Sequence, residues 1–166
     1  MSLSERAICV AGGILAAMLL LRHSLDKSKG PSTEVIPVIV PGMPRLPEFC
    51  HATIHARLLH ISGCIGLDGD NMRIVSGGIK NEIKAALLCV KRIMEYSETN
   101  YNTDKCKLIK VNVYLKDNSK ERFLELNEGY AEFFKESQWA YPARITVGCG
   151  ALALGAQIEI DAIASA

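Results

Sequence analysis

Hydrophobic and polar positions divide this chain into three regimes. From Ala7 to Leu21 the sequence AICVAGGILAAMLLL carries no charge. From Asp26 to Pro47 it turns polar and then proline-rich, with prolines at 31, 37, 41, 44 and 47. Beyond that the pattern becomes periodic. The stretch Ala56–Gly63 (ARLLHISG) predicts a strand ending at a glycine turn, and Asp68-Gly69-Asp70-Asn71 is turn chemistry. Ile79, Ile83, Ala86, Leu87, Val90, Ile93 and Met94 recur at three- and four-residue spacing, which predicts a one-sided helix of about four to five turns. Leu108–Lys116 alternates, with Ile109, Val111, Val113 and Leu115 on one face and Lys110, Asn112 and Tyr114 on the other. Asn118 followed by Glu121 resembles a capping box opening a second helix, whose stripe is Phe123, Leu126, Tyr130, Phe133 and Phe134. Those aromatics read as core packing. Pro142 starts a strand through Ile145 and Val147, and Gln157–Ile163 forms the last one. The order strand–strand–helix–strand–helix–strand–strand is α+β: a mixed sheet with two helices on one face. The other sheet face also carries apolar residues, so a second subunit is expected to cover it.

The N-terminal run admits three readings. A helix of fifteen residues spans about 22 Å, short of a bilayer's hydrocarbon core of about 30 Å. Arg22-His23 directly after the run, without a small-x-small site, argues against a secretory signal peptide. A buried core helix fits the length, but apolar residues cover its whole circumference. A short membrane anchor over residues 1–25 suits the flanks best: Glu5 and Arg6 cancel, whereas Arg22, Lys27 and Lys29 outweigh Asp26. The positive-inside rule then places the C-terminal part in the cytosol, an arrangement compatible with the outer mitochondrial membrane. Cleavage of the segment would leave a soluble cytosolic or mitochondrial protein. Residues 26–47 are expected to form an extended linker, and residues 48–166 the folded domain.

Charge changes the picture by exclusion. Lys and Arg number 19 against 18 Asp and Glu, so no bulk field attracts nucleic acid. Six cysteines are scattered without a CxxC pair, which reads as free thiols of a reducing compartment. His51, His55 and His60 lie near Cys50, but strand geometry would turn His60 away from the other two and no second cluster exists. No metal site is expected.

No P-loop, dinucleotide fingerprint, GxSxG elbow or HExxH helix is present. Arg144 at a strand start offers a planar fork for a carboxylate. Glu159, among apolar neighbours in QIEIDAI, has the setting of a proton-shuttling carboxyl with a raised pKa. From spacing alone, a structural salt bridge between the two is the simpler reading.

A wider set of motifs resembles the Rid family (reactive intermediate deaminase, or YjgF-like), in its RidA-type branch. These are Ile61-Ser62-Gly63-x-Ile65-Gly66, Ile74-Val75-Ser76-Gly77-Gly78, Val111-x-Val113-x-Leu115-x-Asp117, Asn127-x-x-Tyr130-x-x-Phe133-Phe134, Pro142-Ala143-Arg144 and Ile158-Glu159-Ile160-x-Ala162-Ile163-Ala164. The resemblance implies a chorismate-mutase-like homotrimeric barrel with helices outside and active sites in the clefts between subunits. It implies hydrolysis of enamine/imine intermediates (2-iminobutanoate or 2-iminopropanoate) to 2-oxo acids and ammonia, with no cofactor and no metal. On it, Arg144 holds the substrate carboxylate and Glu159 positions or activates the attacking water. Ser62 and the backbone at Gly63 line the pocket, and Asn127 braces it. Phe49 stands where the family has a pocket tyrosine, Cys64 where it has glutamine and Thr146 where it has cysteine. The usual proline before the last strand is missing from ALALGAQ. The lost hydroxyl at Phe49 supports an alternative: a non-catalytic, regulatory module binding carboxylates such as 2-oxo acids. A nuclease or translation-inhibiting role, known for some relatives, lacks a basic stripe here.

Overall fold

A computed structural model of the chain describes residues 33–69, 71–101 and 103–166. The expected anchor over residues 7–21, and the linker up to residue 32, lie outside the described residues. Among the described residues, no helix is long and apolar enough to cross a membrane.

Six strands and two helices follow in the order β1 (Ile36–Val38), β2 (Ala52–His55), β3 (Leu58–Ile65), α1 (Ile79–Asn100), β4 (Leu108–Leu115), α2 (Lys120–Ser137), β5 (Ala143–Gly148) and β6 (Ile158–Ser165). They form one sheet in the order β1-β2-β3-β6-β4-β5. All neighbours are antiparallel except β4 and β5. A parallel pair needs a crossover, which α2 supplies between those two strands. The last strand, β6, thus inserts between β3 and β4 at the centre of the sheet.

Alternation places Leu59, Ile61, Val111, Val113, Leu115, Ile158, Ile160 and Ala162 on the helix-covered face, all buried. The seven periodic residues of α1, Ile79 to Met94, meet them, together with Leu126, Tyr130, Phe133 and Phe134 of α2. Burying each large aliphatic side chain contributes roughly 1.5–3 kcal/mol. Close approach of the helices depends on Gly129, where a Cβ would stand 2.6 Å from both the Lys80 carbonyl oxygen and Ile83 Cγ2.

The other face bears Thr53, His55, His60, Asn112, Tyr114, Ile145, Val147, Glu159 and Asp161, by register with the buried rows. Ile145 is 49% exposed and Val147 37%. No described element of the chain covers this open face.

Several expectations need correction. Residues 33–47 are not linker: Thr33–Ala166 form one compact unit, β1 pairs with β2, and Val38 and Val40 are buried. Proline in β1 is tolerated because that strand is an edge. The strand expected at Ala56–Gly63 runs instead over Leu58–Ile65, because Ala56 and Arg57 (φ 49° and 64°) make the left-handed two-residue turn of the β2–β3 hairpin. Helix α1 has 22 residues, longer than its apolar stripe suggested. The capping box does not form: Ser119 is the N-cap of α2, and its backbone N–H donates to Asp117 Oδ1 at 3.0 Å. Ile109 does not join the buried row but is 45% exposed, because the β4–β6 register shifts between Leu108 and Lys110. His60 does not turn away from His55; the two share the open face, while His51 is buried. No group of three or more metal-capable side chains occurs among the described residues.

Candidate active site

The open face holds one group of the expected site residues. Between Ile61 and Cys64 the β3–β6 register shifts, so β3 carries a bulge at Ser62-Gly63. Ser62 Oγ donates to the Cys50 carbonyl at 2.8 Å, and its backbone N–H donates to the His51 carbonyl at 3.0 Å. These bonds moor the segment carrying Phe49, itself 41% exposed, beside the bulge. Arg45 fastens the segment from behind, donating to the carbonyls of Leu46 and Phe49 at 2.9 Å each. The Glu159 carboxylate lies over Gly63, where a Cβ would overlap Oε1. A side chain at 63 would therefore displace the Glu159 carboxylate from this position, a constraint of space rather than of backbone angle. Partial burial raises the Glu159 carboxyl above its ordinary pKa, and the nearby Asp161 charge adds to the rise.

The helix-covered face holds the other group. Arg144 pairs with Val111 in the β4–β5 ladder and so faces the helices. Its Nη2 donates to Asn127 Oδ1 at 2.6 Å. The guanidinium carbon stands 4.6 Å from the Tyr130 ring centroid and 5.9 Å from that of Phe123. Phe123, Asn127, Tyr130 and Phe134 are spaced by four, three and four residues, one stripe of α2 turned toward β5. Among the described residues no carboxylate pairs with Arg144.

Arg144 and Glu159 therefore stand on opposite faces of one sheet. The salt bridge that spacing favoured does not form. The structure places Ser62, Gly63 and Glu159 on one side and Asn127 and Arg144 on the other; Phe49 is exposed one residue before Cys50, to whose carbonyl Ser62 donates. A cleft of about 420 Å³ lined by Ile79, Lys116, Asp117, Arg122, Gly150 and Gln157 includes none of them.

Sequence reasoning treated Tyr130 as core alone. Its ring also stacks on Arg144, and its buried hydroxyl, pushed up to about 12 mainly by burial, has no partner within the chain's described residues. Thr146, two residues after Arg144 on the same face, likewise buries an unpartnered hydroxyl. Spacing along α2 and alternation along β5 carried this signal. Cys64 is buried beneath the bulge and its thiol is pushed well up by burial, which makes it a poor nucleophile.

The chain as a whole is similar to known proteins. The family model described as endoribonuclease L-PSP matches residues 44–166. The chain is 33% identical to the human 2-iminobutanoate/2-iminopropanoate deaminase over 145 residues, 87% of this chain and 90% of that protein. The crystal structure of yeast Mmf1 superposes with a TM-score of 0.66 at 29% identity, covering 80% of this chain and 98% of that one. The YjgF gene product of E. coli gives a TM-score of 0.67 at 23% identity over 78% and 97% of the two chains, a likeness of fold alone.

Proposed function

The chain belongs to the endoribonuclease L-PSP family, the Rid or YjgF proteins, and from that premise we propose that it hydrolyses enamine/imine intermediates of amino-acid metabolism to 2-oxo acids and ammonia. The observation that carries the reading is Arg144: a guanidinium held by Asn127 and two aromatic rings, with no carboxylate paired to it among the described residues. Such a group is placed to receive one. Its permanent charge binds the substrate carboxylate bidentately without titrating near neutral pH. An imine carbon is already electrophilic, so the protein's work is orientation and proton handling. Water adds to the C=N carbon, one of its protons passing through Glu159 to the nitrogen, and the resulting carbinolamine collapses to the 2-oxo acid as its hydroxyl proton moves to nitrogen, the C–N bond breaks and ammonia leaves. The raised pKa of Glu159 suits a group that takes up and returns one proton per turnover. Ser62 and the Gly63 backbone line the Glu159 side, Phe49 contributes a ring, and Asn127 braces Arg144.

Because the two halves lie on opposite sheet faces, the working site is composed from two copies of the chain, in a homotrimer whose open sheet faces form the central barrel. The apolar segment 7–21 tethers this domain to a membrane on its cytosolic side, the outer mitochondrial membrane being compatible with its short span. Fractionation of the full-length protein, followed by assay of the membrane and soluble pools, tests that placement.

The activity test is release of ammonia and 2-oxo acid from imines generated in situ by an amino-acid oxidase. Acceleration over buffer is expected. Arg144→Ala is expected to lose about 2 kcal/mol of transition-state binding or more, roughly 30-fold in kcat/KM. A wild-type protein that leaves the rate unchanged refutes the deaminase reading. Ligand-induced thermal shifts with 2-oxo acids but no turnover would instead favour the carboxylate-binding alternative, which the missing hydroxyl at Phe49 supports.

A further inference from the structure

Beside Glu159 the open face carries a second acid whose bonding is complete. Asp161 follows Glu159 by two residues on β6, so both side chains rise from one face, about 7 Å apart at the backbone. Asn112 is the cross-strand partner of Asp161, and Tyr114 is that of Glu159. Asn112 Nδ2 donates to Asp161 Oδ1 at 2.7 Å, and the Tyr114 hydroxyl donates to Oδ2 at 2.8 Å. Each carboxylate oxygen thus has its own donor, an arrangement that addresses the anion and fixes its position. The bond to Asp161 is also the main reason that the Tyr114 phenol holds its proton more tightly than usual. Among the described residues Glu159 receives no comparable donor, and its carboxylate lies against the backbone of Gly63.

Within one chain, no described group forms an ion pair with Glu159 or Asp161; in the assembly proposed above, Arg144 of the partner subunit is the cation on the Glu159 side, and Asp161 acts beside it. On β4, Lys110 stands opposite Ile163 and Lys116 follows the strand; neither forms an ion pair with Glu159 or Asp161. On β3, His60 also lies opposite Ile163, and Cys64, within electrostatic reach of both acids, is a buried thiol that stays protonated. On β5 the open face offers only Ala143, Ile145 and Val147.

We propose that Asp161 is a positioning residue acting through Glu159: a fixed anion, pinned by Asn112 and Tyr114, that governs the pH at which Glu159 carries its proton. The inference rests on the deaminase reading for its purpose, since a proton acceptor works best when its affinity for the proton lies close to the operating pH. Its test does not. In the full-length protein with isotope-labelled glutamate carboxyls, NMR titration follows Glu159, assigned by the resonance lost in Glu159→Gln. Asp161→Asn is expected to move the Glu159 midpoint to lower pH, and Asp161→Glu to return it toward wild type. The acid limb of the kcat/KM profile is expected to move with it. A midpoint unmoved in Asp161→Asn, or Asp161→Glu titrating like Asp161→Asn, would overturn the proposal. If the wild-type protein turns nothing over, the deaminase reading falls, while the midpoint still decides the role of Asp161.

Discussion

His51 shows how much one tautomer can hold. Its Nδ1 accepts the Val40 N–H at 3.0 Å, so the ring is neutral with its proton on Nε2, and it is 4% exposed. Burial lowers its pKa first; the positive charges of Arg45 and Arg92 add to that. Protonation would place a donor against the Val40 donor and a charge in the interior. Unfolded histidine titrates near 6.5 and binds protons before the folded group does. The contribution of His51 is therefore complete above that pH and is lost as pH falls through the lower folded value. Chemical-denaturation midpoints are expected to drop on acidification below about pH 6.5, and His51→Gln to flatten that part of the profile. A variant as acid-sensitive as wild type would exclude His51 as the source. The same ring stabilises the segment ending at Phe49 and Cys50, so acid would loosen one wall of the site.

At the scale of elements, the helix pair depends on a missing side chain. Gly129→Ala would press a methyl group against a backbone carbonyl that cannot rotate away and against Ile83. Overpacking of this kind costs roughly 1–3 kcal/mol, so the thermal midpoint is expected to fall by several degrees. Elements were legible where local pattern decided them. The alternation of β4 from Lys110 onward, that of β6 and the stripe of α1 follow from side-chain period alone, and they survive in the structure. What depended on pairing was hidden. Ala56 and Arg57 adopt left-handed angles that no turn residue announces; only the pairing of His55 with Leu58 across them reveals the turn. The bulge at Ser62-Gly63 and the shift beside Ile109 exist only against β6. Val38 and Val40 looked like linker because the prolines around them are compatible with an edge strand, which periodicity does not distinguish from an extended tether. In the site, Arg144, Glu159, Ser62 and Gly63 could be singled out by residue type and family motif. Asp161, Asn112 and Tyr114 could not, because their hydrogen bonds need β6 to lie beside β4, a fact of strand order.

For the whole molecule, the division of the site between sheet faces makes a prediction about assembly. Arg144 faces the helices and Glu159 the open side, so under the proposed function a complete site would draw one from each of two copies. Arg144→Ala and Glu159→Gln proteins are each expected to keep only a small residual activity as pure assemblies. Unfolded together and refolded as a mixture, they form assemblies in which some clefts pair the intact Arg144 of one copy with the intact Glu159 of its neighbour. With equal amounts and random exchange in a closed ring, about one cleft in four is complete, so activity is expected to return to about a quarter of wild type. A site lying within one chain would give no recovery, since every copy would carry one defect. Mixing without refolding provides the control, because preformed assemblies keep their own subunits. Recovery in the refolded sample alone would tie catalysis to the contact between copies. It would also account for the apolar residues on the open face, which then serve both to hold the assembly together and to bring the two half-sites into register.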